Sequence, residues 1–127
     1  MKVISILFLL ACSANVVMAQ DSKTQALEAG AVGVVRTIHT AEFTYDSTYN
    51  GFACSLEPMM EGAKDAKPSA EHAGLIDNSV KDEKRRMYRF EVHCTSKGKP
   101  ATAYKSSAEP LVQGARAFCS DESGAIR

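Results

Sequence analysis

Several function classes are removed by what this chain of 127 residues does not contain. It has no excess of charge: fifteen basic residues face fifteen acidic ones. It therefore lacks the one-signed field that would draw in nucleic acid or an anionic membrane. There is no CxxC or CxxCH pair among its four cysteines, which argues against a thioredoxin-type redox centre, a zinc knuckle or a c-type haem. Phosphate-cradling glycine loops are absent. Ser79, Ser106, Ser107, Ser120 and Ser123 lack the glycine elbow that presents a nucleophilic serine. No apolar run reaches the roughly 20 residues needed to cross a bilayer, because Ser13, Asn15 and Gln20 interrupt the first one.

That first run has the form of an export signal. Lys2 is its positive end, Val3 to Ala11 its apolar core, and Val17-Met18-Ala19 its small-residue cleavage motif. Residues 1–19 are then a leader, and 20–127 form a single domain without a membrane span, periplasmic or extracellular. An alternative places Cys12 at a lipobox, Leu9-Leu10-Ala11-Cys12, as a lipidated N-terminus. A domain of about 100 residues can bury roughly two thirds of its unfolded surface, so no metal is needed to hold it together.

The stretch from Ser22 to Tyr49 organises the rest of the chain. Leu27, Ala31, Val34, Ile38, Ala41 and Tyr45 recur at alternating intervals of four and three, which sets them on one side of a helix. Glu28, Arg36, Thr40 and Asp46 lie off that stripe. Such a helix is about 40 Å long. Gly30 and Gly33 each cost about 1 kcal/mol relative to alanine, so its firm part begins near Ala31. Asn50-Gly51 supplies the stop.

Beyond it, Pro58 to Ala70 reads as a surface loop with Met59 and Met60 turned inward. A short second helix is expected from Ser69 to Val80, burying Ala73, Ile76 and Val80. The mixed charges from Lys81 to Arg86 read as a solvated turn. Tyr88 to Cys94 alternates strictly, so Tyr88, Phe90 and Val92 share the inner face of a strand. Further strands are expected over Ala101 to Ser107 and Gly114 to Cys119. Ser120 to Gly124 is then a hairpin turn and Ala125 to Arg127 a closing half-strand. The predicted class is α+β: one long helix on a three- or four-stranded antiparallel meander.

Three cysteines come after the leader: Cys54, Cys94 and Cys119. In an exported chain two should pair. Cys94 and Cys119 end the first and third strands of a meander, about 9.5 Å apart, too far for a direct bond. Cys54 is therefore expected in the disulfide, with Cys119 slightly favoured over Cys94. His39 and Glu42 stand three apart on the helix and could share a metal, but no further ligand is identifiable. His72 falls beside the loose loop and His93 faces outward. The Asp121-Glu122-Ser123-Gly124 turn carries oxygen ligands of the kind calcium takes, and equally the residues that brace a tight turn.

Taken together, AVGVVRTIHTAEFTYDSTYNGFACSL, the YRFEV strand and the terminal RAFCSDESGAIR resemble bacterial type IV pilin-like and pseudopilin proteins. The likeness spans about Gly30 to Arg127 and is most specific in Val35-Arg36-Thr37-Ile38, Ala41-Glu42, Tyr45 and the two end motifs Asp121 to Gly124 and Ile126-Arg127. The resemblance implies a non-enzymatic subunit whose helix backs onto an antiparallel sheet, with filament or secretion components as protein partners. It also implies calcium near the terminal turn, since major pseudopilins bind it in a nearby loop. Here the membrane-embedded half-helix of such proteins is replaced by the export signal and the polar run Gln20 to Gln25. The expectation is a soluble, exported pilin-like domain, monomeric or weakly oligomeric, with no bound cofactor otherwise.

Overall fold

The described residues of the computed structural model are 22–127; the leader expected over 1–19, its cleavage motif and Cys12 lie outside them. Helix α1 (Lys2–Tyr49) ends where Asn50 turns left-handed at φ 56°, its N–H still donating to the Asp46 carbonyl at 2.9 Å. Asparagine tolerates that conformation better than most side chains, and with Gly51 behind it the chain leaves the helix where the sequence predicts. Gly30 and Gly33 do not interrupt the helix.

The buried face of α1 differs from the predicted stripe by part of a turn. Ala31, Ile38, Ala41 and Tyr45 are buried as expected, but Leu27 and Val34 are half-buried and Val35 is fully enclosed. Glu28, expected off the stripe, and Glu42 are buried as well. Residues 28, 31, 35, 38, 42 and 45 keep the same three-and-four spacing as the predicted set. Two helical registers thus fit one stretch, and the sheet packs between them.

That sheet has three antiparallel strands in the order β1 (Tyr88–Cys94), β2 (Tyr104–Pro110), β3 (Phe118–Asp121). Tyr88, Phe90 and Val92 face the helix, as the alternation predicts, while Arg89, Glu91 and His93 face outward. Tyr104, Ser106 and Ala108 of β2 join them under α1. The core is this layer of helix on sheet, closed at one side by Leu56, Met59, Met60, Ile76 and Val80.

Strand limits depart from expectation for identifiable reasons. β2 starts at Tyr104, not Ala101, because the Ala101 carbonyl accepts from Phe52 N–H at 3.0 Å and Thr102 N–H donates to Ser96 Oγ. It runs on through Glu109-Pro110, read as a break. Pro110 is opposite Tyr88 and directs its substituted nitrogen toward the β3 side. β3 has ended its pairing by then, at Ala108 opposite Phe118, so no ladder bond is lost. β3 starts at Phe118, not Gly114, since Arg116 uses its backbone elsewhere: its N–H donates to Glu28 and its carbonyl accepts from Tyr88. The closing half-strand is reduced to one reciprocal pair, Cys119 and Arg127 exchanging both backbone bonds at 2.9 Å.

The expected helix over Ser69 to Val80 is not formed. Gly74 takes φ +68°, outside the right-handed region. The segment instead clips to the preceding loop: Ala73 N–H donates to Pro58, and Leu75 and Ile76 N–H both donate to Met59. Ala73, Ile76 and Val80 are buried all the same, as are Met59 and Met60. Burial was readable from these apolar residues, but backbone geometry was not. The charge run holds a single helical turn, α2 (Glu83–Arg86), capped by Asp82 accepting from Arg85 N–H at 3.2 Å.

The disulfide joins Cys54 to Cys94, with Cα atoms 4.8 Å apart, and Cys119 is a free, half-buried thiol. The expected partner, Cys119, is therefore replaced by Cys94. Cys54 comes off the helix alongside β1, and β2 separates β1 from the strand that carries Cys119.

Candidate functional site

Polar groups converge under the last three turns of α1, where the helix crosses β2 and the terminal turn. His39 Nδ1 and the Tyr104 hydroxyl share a hydrogen bond at 2.8 Å. Gly124 packs against the other side of the imidazole: a Cβ on Gly124 would lie 2.8 Å from His39 Nε2, and its φ of +79° favours glycine independently. The terminal turn is thus seated on the helix. Within it, Asp121 Oδ1 accepts from the Ser123 N–H at 2.9 Å and the Ser123 hydroxyl at 2.5 Å. Glu122 Oε2 accepts from Tyr104 N–H at 3.4 Å. The three calcium candidates, Asp121, Glu122 and Ser123, are engaged in bracing the turn and tying it to β2. The Ser123 bonds lower the affinity of Asp121 for a proton.

Glu42, one turn along from His39, is fully enclosed. Its Oε1 accepts from Ala53 N–H at 2.8 Å, and its Oε2 has no hydrogen-bond partner among the described residues. The reason lies in the chain path. Residues 50–53 double back under the helix end, leaving Ala53 N–H buried with no strand to pair with, and such a donor needs an acceptor. Glu42 supplies it. Burial pushes the Glu42 carboxyl up to about 8, against the pull of the Ala53 N–H, with the negative charge of Asp46 adding to the rise. Glu42 is therefore mostly neutral at pH 7. Burial, followed by the negative fields of Glu42, Glu122 and Asp121, holds the Tyr104 phenol above its ordinary value.

At the other end of the helix Glu28 is treated differently. Arg116 grips it in a fork: Nε at 3.0 Å and Nη2 at 2.8 Å reach Oε2, while Arg116 N–H reaches Oε1 at 3.1 Å. The Arg116 side-chain bonds hold the Glu28 carboxyl below its usual range, opposing the effect of burial. Arg116 also lies over the Phe118 ring, 5.6 Å from its centroid.

The remaining site residues considered from the sequence are scattered. His39 and Glu42 are not brought onto a common ligand position, since one faces Tyr104 and the other Ala53. His72 is exposed beside the Ser69 turn, and His93 is exposed on β1 opposite Lys105. Among the described residues no group of three or more His, Cys, Asp or Glu side chains could hold a metal ion. A ring cluster does form, unpredicted: Phe43, 42 % exposed, stacks edgewise on His39 at 4.7 Å and on Phe52 at 5.4 Å, and Phe52 meets Tyr104 at 5.0 Å. Beside it a groove of about 630 Å³ opens between Tyr45, Tyr49, Pro58 and Pro100.

No family model, curated protein or solved structure matches this chain. Among the described residues no helix is long and apolar enough to cross a membrane. What these residues define is an α+β domain with a Cys54–Cys94 disulfide.

Proposed function

We propose that this chain is an exported, pilin-like domain that works through protein contacts and not through catalysis, alongside type IV pilus or type II secretion-like assemblies. One observation carries the reading: a single long helix lies along an antiparallel three-stranded meander, and the terminal turn, Asp121 to Gly124, is seated back onto that helix at His39. The motifs that carry the sequence resemblance, Ala41-Glu42 and Asp121 to Gly124, are the ones that make these contacts. Glu42 holds the chain reversal at Ala53. The polar groups beneath the helix act as braces: His39, Tyr104, Glu42 and Glu122 each bind another part of the fold, and Asp121 braces its own turn through Ser123. Export is supported by the leader pattern and by the Cys54–Cys94 disulfide, a bond favoured in oxidising compartments.

Fractionation of a producing cell, followed by intact mass, tests the proposal. The expected product is cleaved after Ala19, free of acyl chains, and enriched with sheared pili or secretion components in a manner that depends on the major pilin. A leader-bearing cytoplasmic product would contradict export. A lipidated Cys12 would replace the soluble domain with an anchored one, and an unchanged distribution in cells without the pilin would remove the assembly role.

A further inference from the structure

The groove beside Phe52, about 630 Å³, is lined from one side by the end of α1 and from another by residues 99–101. That volume is in the range of ligand sites. Its walls are held by bonds of three kinds. Phe52 N–H donates to the Ala101 carbonyl at 3.0 Å, the Tyr45 hydroxyl donates to the Ala70 carbonyl at 2.5 Å, and the disulfide ties Cys54 to β1. A partner therefore meets a surface that is already ordered, and binding need not fix these segments.

The chemistry of the lining is one-sided. Tyr45 and Tyr49, with ring centroids 4.7 Å apart, share it with Pro58 and Pro100. Of its polar side chains, Tyr45 is spent on Ala70 and Ser55 on Glu57. The Tyr49 hydroxyl, the Asn50 amide and the Lys99 ammonium make no hydrogen bond among the described residues. Lys99 donates only, and the Asn50 carbonyl and the Tyr49 oxygen are the acceptors these three side chains offer. No carboxylate lines the groove, so Lys99 is its one charge.

This inventory separates the occupants that aromatic walls attract. A sugar would stack on the tyrosines, but it brings many hydroxyl donors to a lining with few side-chain acceptors. A peptide of ordinary residues brings an N–H at every position. A run of prolines brings none: it presents rings and carbonyl acceptors, and it is already extended and stiff before it binds. We infer that the groove docks a proline-rich segment of a partner protein, its rings against Tyr45 and Tyr49, its carbonyls accepting from Tyr49 and Asn50, and an acidic residue beside the prolines facing Lys99. Aromatic-lined grooves recognise such segments in other folds by the same physics. The inference needs only the groove and is independent of the pilin-like reading.

Amide NMR titration of the purified, isotope-labelled chain at low salt tests it. The probe is a capped peptide of six prolines followed by two glutamates. Saturable shifts are expected at Gly51, Ala53 and Ala101 below about 1 mM peptide. Replacing alternate prolines of the probe by alanine should weaken binding at least fivefold, and replacing its glutamates by lysines about threefold. Tyr49→Phe, which removes only the hydroxyl, should raise Kd about fivefold. Lys99→Glu should reverse the preference between the acidic and the basic probe. Lys99 is exposed, so amides away from the groove should keep their parent positions and certify the fold. The peptide series needs no variant and decides the matter alone: groove amides that stay still up to several millimolar, or an alanine-substituted probe that binds equally, would overturn the inference. So would a Lys99→Glu chain with unchanged preference. Groove shifts produced by maltotriose and not by the peptide would assign the groove to a sugar, and shifts that follow the chain's own concentration would assign it to a second copy; either would overturn the inference.

Discussion

Glu28 and Glu42 lie two heptads apart on the same face of α1, both buried, and they end in opposite charge states. Glu28 has a guanidinium fork and a backbone N–H upon it, so it stays ionised. Glu42 has one backbone N–H and no cation, so enclosure drives it toward the neutral acid. Burial alone therefore does not decide what a carboxyl does; the partner does. The difference also assigns roles. Glu28 clasps the helix to the loop before β3, and Glu42 satisfies a stranded backbone donor where the chain reverses.

The most damaging way to break the comparison is to remove the seam between the two acids. Ile38 is fully buried between them, and Ile38→Ala should cost about 2–5 kcal/mol in chemical denaturation, loosening both ends together. A loss confined to one end would show that they are held independently.

Sharpening the comparison calls for Glu42→Gln. The folded-state value of Glu42 lies above its value in the unfolded chain, so the folded state binds the extra proton. Stability from this site is therefore full below the unfolded value and falls as pH rises toward about 8. Glutamine keeps the acceptor for Ala53 N–H and cannot ionise. The variant should match the parent in acid and exceed it at pH 9 by about 2–4 kcal/mol, measured as denaturant midpoints across pH. Parallel pH profiles for parent and variant would contradict a neutral Glu42.

A smaller effect, of opposite sign in pH, is expected from Arg116→Met. The folded-state value of Glu28 is depressed, so its contribution is present above the unfolded value and is lost as pH falls through the folded one. The variant should be less stable than the parent at neutral pH and approach it in acid. Arg116 is largely solvent-exposed, so the loss should be well below that of Ile38→Ala. An equal deficit at every pH would show that Arg116 acts by packing on Phe118.

How much of the fold could be read from the sequence depends on the kind of signal involved. Strict alternation over Tyr88 to Cys94 and the Asn50-Gly51 stop are local, and both appear where expected. The helix was legible as a helix, and its face in part: Ala31, Ile38, Ala41 and Tyr45 are buried as expected, whereas the inward turn of Glu28, Val35 and Glu42 was not legible. The sets through Leu27 and Glu28 obey the same spacing, and hydrophobicity chose the one without acids. Only the position of Ala53 N–H and of Arg116, 88 residues further on, makes the glutamates inward residues. The same limit governed Cys54, whose neighbour depends on which edge of the sheet the loop passes. It also governed Ser69 to Val80, where Gly74 and bonds to Met59 replaced a helix that the apolar spacing suggested. His39 and the terminal turn were each picked out, yet their contact through Gly124 is a tertiary fact with no trace in their spacing.

That one helix face carries both a clasped, charged acid and an enclosed, neutral one is tested most directly by carbon-detected NMR titration of the glutamate carboxyls. The predicted result is a Glu42 midpoint near 8 and a Glu28 midpoint below the ordinary glutamate value. Two coincident titrations at that ordinary value would contradict it.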